Sequence, residues 1–430
     1  MIRTRTRPAA VAALVLAMGA SAALSSAEAQ ELLFWSNQAQ PVEEAQKVRD
    51  QVLPGFGKPV NYLPQEPGPY MTRIQAEAQA GSGSIAVIGG LHGDFASFAD
   101  SLVDLSDITG NLGDVQVNPA FMELGKLGTA EQKYIPWMQA GYVMVANKQA
   151  LEHLPEGADI NALTYDQLTA WGEAMTAASG SPKIGFPAGP KGLMHRFFQG
   201  FLYPSYTKSV VTKFRSAEAE EMWNDFKALW EQVNPASTSY GFMQEPLLTG
   251  EVWVAWDHVA RLQDALNKQP DDFVVFPVPA GPAGRGFMPV LAGIGIPKTS
   301  PHLEEAKALV AYMMKPETQV ATLTATAFFP VVDAELPGDL PKGIQMTGPV
   351  LQAETEAADA VPSLLPIGLG GAGGKFNKVF SDAFQQIVLS GRDVRQVLDQ
   401  EAENMKAVIA ETQAPCWAPD APSDGPCPVE

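Results

Sequence analysis

Glu31-Leu32-Leu33-Phe34-Trp35 is an apolar run that ends in the polar Ser36-Asn37-Gln38. That pattern predicts a buried strand whose end reaches the surface. Helical spacing over Val42–Leu53 follows, then the strand pattern Val60-Asn61-Tyr62-Leu63 and an amphipathic helix over Tyr70–Ala80 closed by Gly81. Ser84–Ile88 reads as a third, largely apolar strand ended by Gly89-Gly90. Strands and helices alternating over short connections predict an α/β layer with a mostly parallel sheet. In such sheets ligands sit beyond the C-terminal strand ends. Here those ends are Ser36-Asn37-Gln38 and Gly89-Gly90-Leu91-His92.

Farther along, Gly141–Ala146 is a strand, and Thr164 with Gln167 forms a capping box at a helix start. Helical periodicity covers Ala217–Val233, Trp256–Asn267, Glu304–Ala325, Lys375–Leu389 and Val394–Thr412. Gly185, Pro187, Gly189 and Pro190 break the chain into a loop. No repeat with a period of 20–50 residues is present.

At 430 residues two domains are the natural prior, because single cores rarely grow past roughly 250–300 residues. The net charge of −19 repels phosphate backbones and argues against nucleic-acid partners. Arg3, Arg5 and Arg7 precede an apolar stretch from Ala9 to Leu24, and Ala27-Glu28-Ala29 supplies small residues for cleavage. This predicts a secretory signal peptide over residues 1–29, cut after Ala29, with a soluble periplasmic or otherwise exported product. Export gives Cys416 and Cys427 an oxidising space, and the pair is expected to form a disulfide in a Pro-rich tail, residues 414–430.

Five segments, in order along nearly the whole mature chain, resemble the extracellular solute-binding proteins of ABC importers, specifically the sugar-binding branch. They are YIPWMQAGYVMVANKQAL (134–151), LTYDQLTAWGEAMTAA (163–178), LLTGEVWVAWD (247–257), the block from Ser300 to Val332, and the terminal helices over 379–409. The chain departs from the family before the third strand, where it reads Gly83-Ser84-Ile85-Ala86-Val87. The resemblance implies an α/β, two-lobe periplasmic-binding-protein fold, with a ligand cleft between lobes joined by crossing hinge strands. Lobe one would be residues 30–141 plus 291–328, and lobe two 147–286 plus 332–413. Crossings would fall near Gly141–Asn147, Phe287–Gly295 and Ala327–Val332. It further implies a monomeric receptor without cofactor or turnover chemistry, which captures a sugar or polyol and delivers it to ABC permease subunits.

A sugar pocket needs aromatic faces and a few converging polar groups. Trp256 and Asp257 follow a strand and offer a ring beside a carboxylate. Asn37, Gln38 and His92 stand at strand ends, and Tyr70 opens a helix. His195 follows the Gly189–Gly192 loop. Trp137 precedes the first crossing, as cleft wall or as core. Gly293 and Phe329 lie at the second and third crossings. Trp35 and Trp253 lie inside strands, and Trp171, Trp223 and Trp230 inside helices, so these are expected in the core. The sequence lacks G-x-S-x-G, H-E-x-x-H and Walker motifs. Gly368–Lys375 lacks P-loop spacing and reads as a loop before a helix. The five His lack i,i+4 spacing, so no metal is expected. The alternative is an exported carbohydrate-active hydrolase, with Glu245 and Asp257 as the carboxylate pair to test.

Overall fold

The computed structural model describes residues 31–38, 42–110, 112–113 and 115–430. The signal peptide expected over 1–29 lies outside the described residues. Two main sheets organise the rest. The first contains β1 (Leu32–Ser36), β2 (Val60–Pro64), β3 (Ile85–Leu91), β4 (Ile135–Ala140) and β10 (Val290–Gly295) in the order β2-β1-β3-β10-β4. The second contains β5 (Tyr142–Asn147), β6 (Ile184–Gly185), β7 (Val254–His258) and β8 (Phe273–Phe276) in the order β6-β7-β5-β8. A small parallel pair joins β9 (Arg285–Phe287) to β11 (Ala360–Pro362).

In the first sheet β1 pairs in parallel with β2 and β3, so their C-terminal ends point the same way. β10 then runs antiparallel to both β3 and β4. Central β3 is apolar along its length because neighbours and covering helices bury both of its faces. It also runs through Gly89-Gly90 instead of ending there, which places His92 at the start of a short helix, His92–Phe95. The glycines serve close packing. A Cβ on Gly89 would meet the Phe34 ring at 2.7 Å, and one on Gly90 the Tyr70 hydroxyl at 2.5 Å.

The capping box is borne out: Gln167 N–H donates to Thr164 Oγ1 at 3.2 Å and Thr164 N–H to Gln167 Oε1 at 3.0 Å. Three helix readings need correction. Trp256 belongs to β7, and the helix begins only at Val259, capped by His258. The helix expected over Glu304–Ala325 is two, Leu303–Met313 and Pro316–Thr326, since Pro316 can open a helix but not continue one. A 15-residue helix, Lys342–Glu356, was missed because it carries Pro349 and two glycines.

The chain passes from the first sheet to the second at Gly141, between β4 and β5, and returns at Met288-Pro289, between β9 and β10. The stretch expected as a third crossing, Ala327–Val332, stays on the first half: Phe329 bridges to Gln139 and Val332 to Val117. Cys416 and Cys427 are disulfide-bonded, with their Cα atoms 4.5 Å apart.

Candidate functional site

The C-terminal end of β3 forms one wall of a narrow gap, with the end of β1 packed behind it. Buried Ser36 holds its corner: its hydroxyl accepts from Tyr62 OH at 3.2 Å and from Gln38 N–H at 3.1 Å. Asn37 N–H donates to Gly89 O, and the Asn37 amide donates to Asp94. Asp94 stands at the third position of the helix after β3, where Leu91 N–H donates to the same Oδ2 at 3.1 Å. Among the described residues, Oδ1 has no partner. Burial raises the Asp94 carboxyl to about 6, against the pull of Leu91 N–H, the Arg196 charge and Asn37.

The facing wall comes from the helix Met194–Phe197 and from residues between Leu365 and Asn377, with Arg261 nearby on the helix Val259–Lys268. Arg196 lies on the helix Met194–Phe197; its Nη1 donates to Gln199 Oε1 at 3.1 Å, the one side-chain hydrogen bond it makes among the described residues. Gln199 in turn donates to Asn377 Oδ1 at 3.0 Å. Arg261 is tied down more firmly. Its Nη1 donates to Lys191 O at 3.2 Å and Gly241 O at 3.0 Å, and its guanidinium lies 4.5 Å from the Phe242 ring centroid. Its charge also acts on Glu44, across from it on the helix Val42–Lys47.

Asp94, Arg196 and Asn377 line a gap of about 60 Å³ with Pro366, Gly370 and Gly373. At its floor the two halves touch: a Cβ on Gly93 would come within 1.8 Å of the Pro366 carbonyl oxygen. Burial lowers the Arg196 guanidinium pKa and raises the Glu44 carboxyl well above its ordinary range. It holds His195 well below, helped by Arg196 and Arg261. Each of these groups keeps some water-accessible surface, as groups lining a crevice do. The arrangement sets a free carboxylate oxygen against guanidinium and amide donors, which suits a polar ligand that both donates and accepts.

None of the expected site residues lines the gap itself: Asn37 bonds Asp94 from behind, Gln38 bonds Asn37, and His195 precedes Arg196 on its helix. Trp256 is fully buried, stacked on Tyr142 at 4.9 Å with Phe197 and Phe201 against its edges, so the structure places it in the core. Asp257 is fully buried below it, accepting from Met243 N–H at 2.9 Å and His258 N–H at 2.8 Å; burial raises it to about 6. Trp137 packs on Phe34 in the core. Tyr70 is buried beside Gly90, and His92 turns inward to Tyr134 OH at 2.6 Å. Gly293 lies in β10, with the Tyr134 ring where a side chain would go.

Phe329 lines a larger cavity of about 720 Å³ that borders Gly141, Met288-Pro289 and the helix Lys342–Glu356. This cavity shares no residue with the gap. Asp94, Arg196, Arg261 and Glu44 were not anticipated. Asp94 stands two residues beyond His92, within reach of the strand-end rule; the others lie on helices, where sequence treats charges as solvated.

Two sheets, each covered by its own helices, joined by short passages and with a polar gap between the end of β3 and elements of the second half, define a two-lobe solute-binding protein. The family model for bacterial extracellular solute-binding proteins matches residues 42–320, and the chain belongs to that family. Three solved structures share the fold. One is maltose-bound MalE3 of T. maritima: 15% identity, 88% of this chain and 99% of that one covered, TM-score 0.69. Another is UgpB from Mycobacterium tuberculosis in complex with glycerophosphocholine: 15%, 89% and 99%, TM-score 0.70. The third is an ABC transporter solute-binding protein from Agrobacterium vitis S4 with bound D-mannitol: 15%, 90% and 100%, TM-score 0.67. No curated protein matches the sequence.

Proposed function

We propose that the protein is an exported receptor that captures a sugar or polyol between its lobes and presents it to an ABC permease. Lobe one is residues 31–140 plus 290–333, and lobe two 142–287 plus 342–413. The carrying observation is that Asp94 of the first and Arg196 of the second line the same gap. A polyol has vicinal hydroxyls that donate to Asp94 Oδ1 and accept from Arg196; the gap of about 60 Å³ is smaller than a polyol, so the lobes part to admit it and it bridges them as they close on it. Such a ligand shifts the open–closed equilibrium by its differential contacts. Rotation at Gly141 and Met288-Pro289 would allow the movement, as hinges concentrate backbone change in a few residues. The maltose and D-mannitol named with two of the structural relatives agree with this class.

The hydrolase alternative has less support. Asp257 is fully buried and bonded by backbone N–H groups, whereas Glu245 is exposed, so they do not flank a common substrate. Among the described residues no helix is long and apolar enough to cross a membrane. A thermal-shift panel of polyols, monosaccharides and oligosaccharides tests the reading. A ligand at about 100 times its Kd adds about 2.7 kcal/mol. A panel without a shift, or conversion of a panel sugar to products, overturns it.

A further inference from the structure

The segment 363–373 forms part of the second-lobe wall of the gap, yet it has little structure of its own. Its one regular element is the single turn Gly370–Ala372, and Gly368 and Gly370 have positive φ. Among the described residues the N–H groups of Leu365 and of residues 367–369 donate to nothing. On one side Pro366 and Gly370 press on Gly93 and Ser97 of the first lobe. On the other side lies the disulfide-closed tail.

Two contacts join the tail to the segment, one closes the tail on itself, and one joins the tail to the helix that follows the segment. Leu364 N–H donates to Ala418 O at 2.9 Å, and Cys427 N–H to Ala414 O at 2.8 Å. Ala414 and Pro415 pack at about 3.6 Å on the position a Cβ of Gly368 would take. Buried Trp417 meets Phe376 edge-on at 5.3 Å, beside the end of the segment. The tail is itself anchored through Asp420, which is 4% exposed. Its carboxylate accepts from Val210 N–H at 2.7 Å, Thr212 N–H at 2.9 Å and Val211 N–H at 3.0 Å, and from the Ser209 and Thr212 hydroxyls. Ala418 and Asp420 both lie inside the loop that Cys416 and Cys427 close.

We propose that this tail is a positioning element for ligand capture: the Cys416–Cys427 bond holds Ala418 and Trp417 where they set the shape of segment 363–373, and breaking it weakens capture without unfolding the lobes. The proposal rests on the reading of the gap as the ligand site. The physical reason is preorganisation. A glycine-rich segment whose internal hydrogen bonds are confined to the turn at its end loses much conformational freedom on ordering, and any part not prepaid by the tail is charged to binding. If the competent shape falls to about a tenth of the population, apparent Kd rises about tenfold.

The test compares the oxidised mature protein with the Cys416→Ser/Cys427→Ser double variant, and with wild type reduced under native conditions in case the variant folds poorly. Thermolysin digestion, mapped by mass, reads the segment through its Leu364, Leu365, Ile367 and Leu369 sites. D-Mannitol and maltose titrations read capture. The expected result is nicking within 364–369 about tenfold faster at unchanged rates elsewhere, with about tenfold weaker binding of whichever probe wild type binds. Unchanged nicking, nicking raised evenly over the chain, or raised nicking with unchanged affinity overturns the proposal. If wild type binds neither probe, nicking alone decides the proposal, and it is the sugar reading that loses support.

Discussion

Asp94→Asn is expected to make the protein more stable and a worse receptor. Burial raises the Asp94 carboxyl from 3.8 to about 6, which puts about 3 kcal/mol of penalty on its charged form as an upper figure. The sign follows from the direction. The folded carboxyl keeps its proton to higher pH than the unfolded one, so the penalty is absent below about pH 3.8. It grows as pH rises to about 6 and is constant above that. A neutral amide removes it while still accepting from Leu91 N–H or Asn37. Above pH 6 the variant should therefore melt at or above wild type.

Binding moves the other way. A ligand hydroxyl donating to the ionised Oδ1 makes a charge-assisted bond worth about 1.5–3 kcal/mol, so its loss weakens Kd by roughly ten- to a hundredfold. In wild type, affinity should also climb between pH 5 and 7 as Asp94 ionises, and that climb should vanish in the variant. Calorimetric titration at three pH values, paired with melting curves, reads both quantities. Lower stability with retained affinity would refute the reasoning, because Asp94 would then be a structural carboxylate.

Trp256→Ala should cost about 3–5 kcal/mol in denaturant melts, with unchanged affinity in the folded fraction, because its ring is enclosed by Tyr142, Phe197 and Phe201. Gly93→Ala puts a Cβ against the Pro366 carbonyl; scattering should show a larger radius of gyration at saturating ligand than wild type, with at least about tenfold weaker binding. Asp420→Ala strands three backbone N–H groups and should lower stability by about 3 kcal/mol, read by chemical denaturation.

Local chemistry carried much of the fold into the sequence. The polar close of β1, the capping box at Thr164 and the apolar run of β3 report on neighbours within a few residues, and each was readable. So was the cysteine pair, since an exported chain with two thiols has one pairing to make. Where local rules competed, the reading failed. Helical spacing across Trp256–Asn267 hid the end of β7, and the Pro349 rule hid a helix that packing sustains.

The site followed a different logic. Trp256-Asp257 looked like a recognition pair because a ring beside a carboxylate suits a sugar, but adjacent strand residues point to opposite faces and burial claims both. Asp94, Arg196, Asn377 and Pro366 stand far apart in the chain, and they line one gap only because β3, the helix Met194–Phe197 and segment 363–373 converge there. Composition and short-range pattern specify which elements form and which faces are apolar. Which charges lose their water, and which then face one another, depends on how the two sheets and their helices meet, and that is a property of the folded chain alone.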